Sequence, residues 1–153
     1  MSRKRTKRKV YALIDTIRHA MVGAAITDTA SLDKLRMLEL SAIESFRIGK
    51  ATREDWKALA DLLNIATTMA ESGIGPEVLP VCARAEEALG AAHARFKAGG
   101  SLGFDGPGLQ AMRELAEYHD AQRTSVSRSV YEKAIKKTSA RIRSAHASVK
   151  VCI

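Results

Sequence analysis

The sequence predicts an all-α fold: a single-domain bundle of about six helices, with no significant sheet. Three observations predict it. Apolar side chains recur at three- and four-residue spacing nearly throughout, and no strand-like alternation stands out. Aromatic residues are only 5% of the chain while alanine is abundant, a composition that suits helix interfaces better than a sheet core. The 153 residues are 46% apolar, enough for one buried core without disulfide or metal staples.

Residues 1–9 form a basic arm, in which Arg3, Lys4, Arg5, Lys7, Arg8 and Lys9 meet no acidic residue. Such a run repels itself and buries little apolar surface, so it is expected to be disordered alone. Val10, Leu13, Ile14, Ile17, Met21 and Ala24 then mark a first amphipathic helix over about 9–25. Asp15, Arg18 and His19 interrupt its apolar stretch, which argues against a signal peptide. Thr27–Ser31 reads as a break and a choice of N-caps. A second helix, about 31–48, carries Leu32, Leu35, Leu38, Ala42, Ile43 and Phe46 on one face, and Gly49 suits its C-terminal cap.

Thr52-Arg-Glu-Asp55 resembles a capping box and opens a third helix over about 53–72. Trp56, Leu59, Ala60, Leu63, Ala66 and Ala70 line one face, and Leu62, Ile65 and Met69 widen it, so this helix is expected at the centre. Gly73-Ile-Gly-Pro76 is a turn, with Pro76 placed for a first helical position. A fourth helix then carries Val81, Cys82, Ala85, Ala88, Leu89, Ala92 and Phe96 to about Ala98. Five of the ten residues from Gly99 to Gly108 are glycine, the strongest loop signal in the chain, with Leu102 and Phe104 available to tuck against the core. Leu109, Met112, Leu115, Ala116 and His119 mark a fifth helix. Thr124–Ser127 reads as a break, and Ser129-x-x-Glu132 as a capping box for a last helix over about 130–146. The domain reading is an arm over 1–9, a helical bundle over 10–146 and a tail over 147–153.

Charge is the most informative functional signal. The net charge is +8 and the pI about 9.8. Residues 1–9 contribute +6, residues 10–120 contribute −5 and residues 121–153 contribute +7. Basic ends around an acidic middle point to the ends as contact surfaces, and a nucleic acid is the natural polyanionic partner. In the last helix Lys133, Lys136, Lys137 and Arg143 lie opposite Tyr131, Ala134, Ile135, Thr138, Ile142 and Ala145, with Arg141 at the border and Arg123 and Arg128 ahead of the helix. A charged stripe is ordinarily a solvated face. The purity of sign sets this one apart, since Glu132 is its one acidic residue. The candidate phosphate contacts are therefore the six cations of the arm together with Arg123, Arg128, Lys133, Lys136, Lys137, Arg141 and Arg143. No aromatic residue interleaves with them except Tyr131, which sits on the apolar face, and this argues against base stacking on single strands.

Other motifs carry less. Gly106-Pro-Gly-Leu-Gln-Ala111 matches a dinucleotide fingerprint formally, but no strand precedes it and Pro107 removes an N–H; a helix start explains it better. Glu114, Glu117, His119 and Asp120 are the densest cluster of potential ligands, yet they form no Glu-x-x-His pair and no second helix matches them. His19, His93 and His146 are isolated. Cys82 and Cys152 make no metal-ligand spacing, and Cys82 sits in an apolar stripe as a buried thiol. No apolar run approaches membrane-spanning length. The expectation is a protein without catalysis, cofactor, metal or membrane partner, acting in the cytoplasm.

The stretches "TDTASLDKLRMLELSAIESFRIGKAT", "DWKALADLLNIATTMAESGIGPE", "GPGLQAMRELAEYHDAQRTSV" and "YEKAIKKT" resemble a group of short uncharacterised proteobacterial proteins associated with prophages and other mobile elements. The resemblance spans most of residues 18–143. It implies an accessory role and no particular activity.

Two functions lead: a non-catalytic accessory protein that binds nucleic acid through its basic ends, and a protein–protein module, an inhibitor or adaptor acting on a host protein, with a homodimer also allowed; an enzyme stays open only through the Glu114–Asp120 cluster. Exposure of Leu62, Ile65 or Met69 would favour the homodimer.

Overall fold

The structure, a computed structural model, describes residues 29–146. The expected helix over 9–25, the arm, Cys152 and the tail lie outside the described residues. Within them are five α-helices and no strand: α1 (Thr29–Arg47), α2 (Arg53–Glu71), α3 (Leu79–Lys97), α4 (Gly106–Thr124) and α5 (Arg128–His146), with a 3-10 turn (Pro76–Val78) ahead of α3. They form a single all-α bundle in which α2 is central and packs on each of the other four helices.

Local chemistry explains the boundaries. Thr52 caps α2 by accepting from the Asp55 N–H at 3.3 Å, while the Asp55 carboxylate accepts from the Thr52 N–H at 2.8 Å, so the sequence-predicted box is formed. At the far end Gly73 takes φ +90°, which turns the Ile74 N–H back onto the Met69 carbonyl at 2.9 Å and stops the helix. Asp105 caps α4 by accepting from the Gly108 N–H at 2.8 Å, with Pro107 in the first turn. A Cβ on Gly108 would stand 3.1 Å from that of Ala88, so this glycine serves close packing of α4 on α3.

One cap differs from expectation. Ser129 is the second residue of α5. The cap is Ser127, whose hydroxyl accepts from the Val130 N–H at 3.3 Å, and Glu132 instead pairs with Arg128. The break between α4 and α5 stands where Thr124–Ser127 predicts it.

The main core gathers Ile43, Phe46, Leu59, Leu62, Ala66, Leu89, Met112 and Leu115. Phe104 stacks on Phe46 with ring centroids 4.3 Å apart, and Leu102 is buried, so the glycine-rich loop is tied down at its middle. A smaller cluster of Met69, Tyr131 and Ala134 lies under α5. Leu62 and Met69 are buried and Ile65 is half-buried, so the wide stripe of α2 is consumed by the bundle and offers no dimer face. Two expected core positions are corrected. Leu38 is 56% exposed because Glu39 takes the inward position on α1, and Phe96 is 46% exposed in the last turn of α3.

Candidate nucleic-acid interface

The basic candidates fall into three groups. The first is α5 itself. Its inner face is narrow: Tyr131, Ala134 and Thr138 are buried at i, i+3 and i+7, and Ile142 is half-buried. The Thr138 hydroxyl donates to Thr68 Oγ1 at 2.9 Å, fixing α5 against α2 through a polar contact as well as an apolar one. Two of its arginines are engaged by carboxylates, Arg128 by Glu132 at 2.9 Å and Arg141 by Glu71 of α2. Lys133, Lys136, Lys137 and Arg143 are exposed, and among the described residues none of them meets a carboxylate within ion-pair distance. Lys137 reaches the Ser72 hydroxyl at 3.4 Å. The α5 outer face therefore presents four uncompensated cations.

The second group is Arg123, and here the expectation is corrected. Its side chain is 1% exposed and points into the bundle from α4. Nη1 donates to Glu39 Oε1 at 2.6 Å and Nη2 to Glu39 Oε2 at 3.0 Å, while Nη2 also lies 3.3 Å from Asp120 Oδ1. A guanidinium so placed cannot reach a phosphate outside. Burial works against its charge, and the hydrogen bonds and charge of Glu39 outweigh that cost, holding its pKa above the ordinary arginine value. Asp120 is shared with Arg36 of α1, which donates to Oδ2 from Nε at 3.1 Å and Nη2 at 2.5 Å.

The third group is the arm. Arg3, Lys4, Arg5, Lys7, Arg8 and Lys9 lie outside the described residues.

The acidic cluster on α4 is dispersed by the same packing. Glu114 pairs with Arg84 at 3.0 Å, Asp120 belongs to the arginine network, and Glu117 is exposed. His119 is 1% exposed. The Gln122 amide donates to the carbonyls of Ala66 at 3.2 Å and Ile74 at 2.9 Å, so its oxygen accepts at 2.9 Å from His119 Nδ1–H. Burial pushes the His119 pKa down to about 4, so the ring is neutral at pH 7. Among the described residues no group of three or more His, Cys, Asp or Glu side chains is arranged to hold a metal ion. Cys82 is buried, and burial pushes its thiol up, away from the reactive thiolate.

A cleft of about 430 Å³ lies between the α1–α2 turn and the glycine-rich loop, lined by Arg47, Arg95, Ser101 and Phe104 among others. Its arginines are occupied, Arg47 by Glu44 and Arg95 by the Gly103 carbonyl, and Asp105 adds a negative charge to the lining. The cleft resembles an anion site less than the α5 face does.

Sequence reasoning missed the Arg123–Glu39 pair and the Arg36–Asp120 pair, because both join residues 84 positions apart. The signal that could have found Glu39 is its register: Leu32, Leu35, Glu39, Ala42 and Phe46 repeat at alternating steps of three and four.

Comparison of the chain with protein-family models, with curated proteins and with solved structures returns no match. Among the described residues no helix is long and apolar enough to cross a membrane.

Proposed function

We propose that this chain is a small non-catalytic accessory protein that binds nucleic acid through the phosphate backbone, using the outer face of α5 together with the arm at residues 3–9. The observation that carries the reading is the set of Lys133, Lys136, Lys137 and Arg143, exposed on one helix face without carboxylate partners. In a helix that is merely soluble, opposite charges at i,i+4 normally compensate such residues, as Arg128 and Glu132 do one turn earlier. Cations left unpaired in this way displace condensed counterions when they meet phosphates, which gives affinity that falls steeply with salt. The likeness to short prophage-associated proteins fits an accessory role in the cytoplasm. The test is binding of the full chain to duplex DNA, single-stranded DNA and RNA across a salt series. Affinity that rises as salt falls supports the reading, and absence of binding at the lowest salt removes it.

A second reading, a protein–protein module acting on a host protein, draws on α1. Met37, Leu38 and Leu40 there, and Ile48 just past its end, are 46–66% exposed. If that reading holds, Met37→Glu abolishes biological activity and leaves nucleic-acid affinity unchanged.

A further inference from the structure

We propose that the C-terminal half of α5 enters the major groove of B-form DNA, so that the ligand is duplex DNA rather than double-stranded RNA. The inference rests on the nucleic-acid reading above and adds the groove, the part of the helix that occupies it and the residue that decides it.

Past Thr138 no α5 side chain up to Ala145 is buried, and only Ile142 is half-buried. The last two turns are therefore clear of the bundle over most of their circumference, while Arg141 holds them to α2 through Glu71. A helix with its side chains is about 10–12 Å across, and the B-DNA major groove is about 12 Å wide.

The outward face is shaped for such an approach. At 100° per residue, Ala140 lies opposite Thr138 and Ile142, the side chains by which this half of the helix faces the bundle. The neighbours of Ala140 one turn away on either side are Lys136, Lys137, Arg143 and Ser144. Small side chains at the middle let the helix axis come close to base edges. Lys137 on one flank and Lys136 and Arg143 on the other then reach towards the phosphates of the two walls. No acidic residue follows Glu132 in the described residues, so nothing on this half of the helix repels either wall. A-form RNA has a deep, narrow major groove that admits no helix. The face has no aromatic side chain on which an unpaired base could stack.

The alternative placement lays the same cations against the outside of one phosphate backbone. Ala140 would then be a bystander, and duplex DNA and duplex RNA would bind alike.

The experiment measures affinity of the full chain, and of Ala140→Trp and Ala140→Ser, for a DNA duplex and an RNA duplex of the same sequence, with circular dichroism to confirm that each variant is folded. Ala140 is exposed, so tryptophan there has room in the free protein. The expected result is DNA preferred over RNA by about tenfold or more, the gap between groove-bound and backbone-only contact. Ala140→Trp should remove most of that preference without changing the salt slope, and Ala140→Ser should keep it. Equal affinity for the two duplexes overturns groove entry and leaves backbone binding standing. A neutral Ala140→Trp does the same. No binding to either duplex at low salt overturns both. Should Ala140→Trp fail to fold, the DNA-to-RNA ratio of the unaltered chain decides alone.

Discussion

Arg123 of α4 and Glu39 of α1 face each other inside the bundle as a two-pronged ion pair, with contacts of 2.6 and 3.0 Å and side-chain exposures of 1% and 8%. A pair in this position gains from mutual attraction and loses from desolvation, and the two nearly cancel. The cost of removing one partner is different, because the other charge is left buried and alone. Arg123→Met is therefore expected to destabilise the protein by about 3–5 kcal/mol, and Arg123→Met with Glu39→Leu to recover most of that loss. Chemical denaturation of the two variants checks it. A loss below about 1 kcal/mol for the single variant, as for a surface pair, would mean that the pair does not hold α1 to α4.

His119 supplies a pH dependence. Its pKa is about 4 in the folded protein against 6.5 for the free side chain, because burial disfavours the charged ring. Over this window the unfolded chain binds a proton that the folded one resists. The contribution to stability is thus fully present above pH 6.5 and is lost as pH falls towards 4, by about 3 kcal/mol in all. His119→Gln removes the titrating group. The difference in unfolding free energy between pH 7 and pH 4 should shrink by about that amount in the variant. Parallel stability curves for the two proteins would show that His119 does not titrate in this way.

Two glycines should respond in opposite directions to alanine. Gly90 lies inside α3 with helical backbone and open space around it, so Gly90→Ala is expected to stabilise by about 0.5–1 kcal/mol through helix propensity. A Cβ on Gly100 would stand 2.9 Å from the Arg95 carbonyl oxygen, which belongs to backbone and cannot step aside. Gly100→Ala should destabilise by about 1–3 kcal/mol. Thermal melts of the two variants should move apart, and a shift of both in one direction would contradict this view of the glycine-rich loop.

The Thr52–Asp55 box gives a further check on α2, the helix on which the other four pack. Thr52→Ala is expected to cost about 1 kcal/mol. A neutral result in denaturant titration would mean that solvent replaces the cap without loss.

The elements that could be read from sequence were those whose cause is local. The Thr52–Asp55 cap, the stop at Gly73 and the break at Thr124–Ser127 each depend on residues within one turn of one another. The apolar stripe of α2 was legible for the same reason, since spacing alone exposes it. Glu39 and Arg123 were not legible, because a charged residue is ordinarily outside and its burial makes sense only once a partner 84 residues away is in place. Leu38 reads as inward for the same reason. Ser129 and Glu132 match a capping pattern, yet the helix starts earlier, with Ser127 taking the Val130 N–H. At the α5 face the pattern of cations was legible. Which of them lack a carboxylate was not, since Arg141 finds Glu71 on a different helix.

If the unpaired cations of α5 are phosphate contacts, removing their charge weakens binding to DNA. The most direct measurement compares the full chain with a variant in which Lys133, Lys136, Lys137 and Arg143 are all glutamine, by titrating duplex DNA across a range of salt. All four side chains are exposed and outside the core, so the variant should melt like the parent. Binding is expected to weaken at every salt concentration, and the log–log salt slope to flatten by up to about 3.6, near 0.9 for each contact removed. An unchanged affinity and slope in a folded variant would contradict it, and would leave the α5 face a solvated surface.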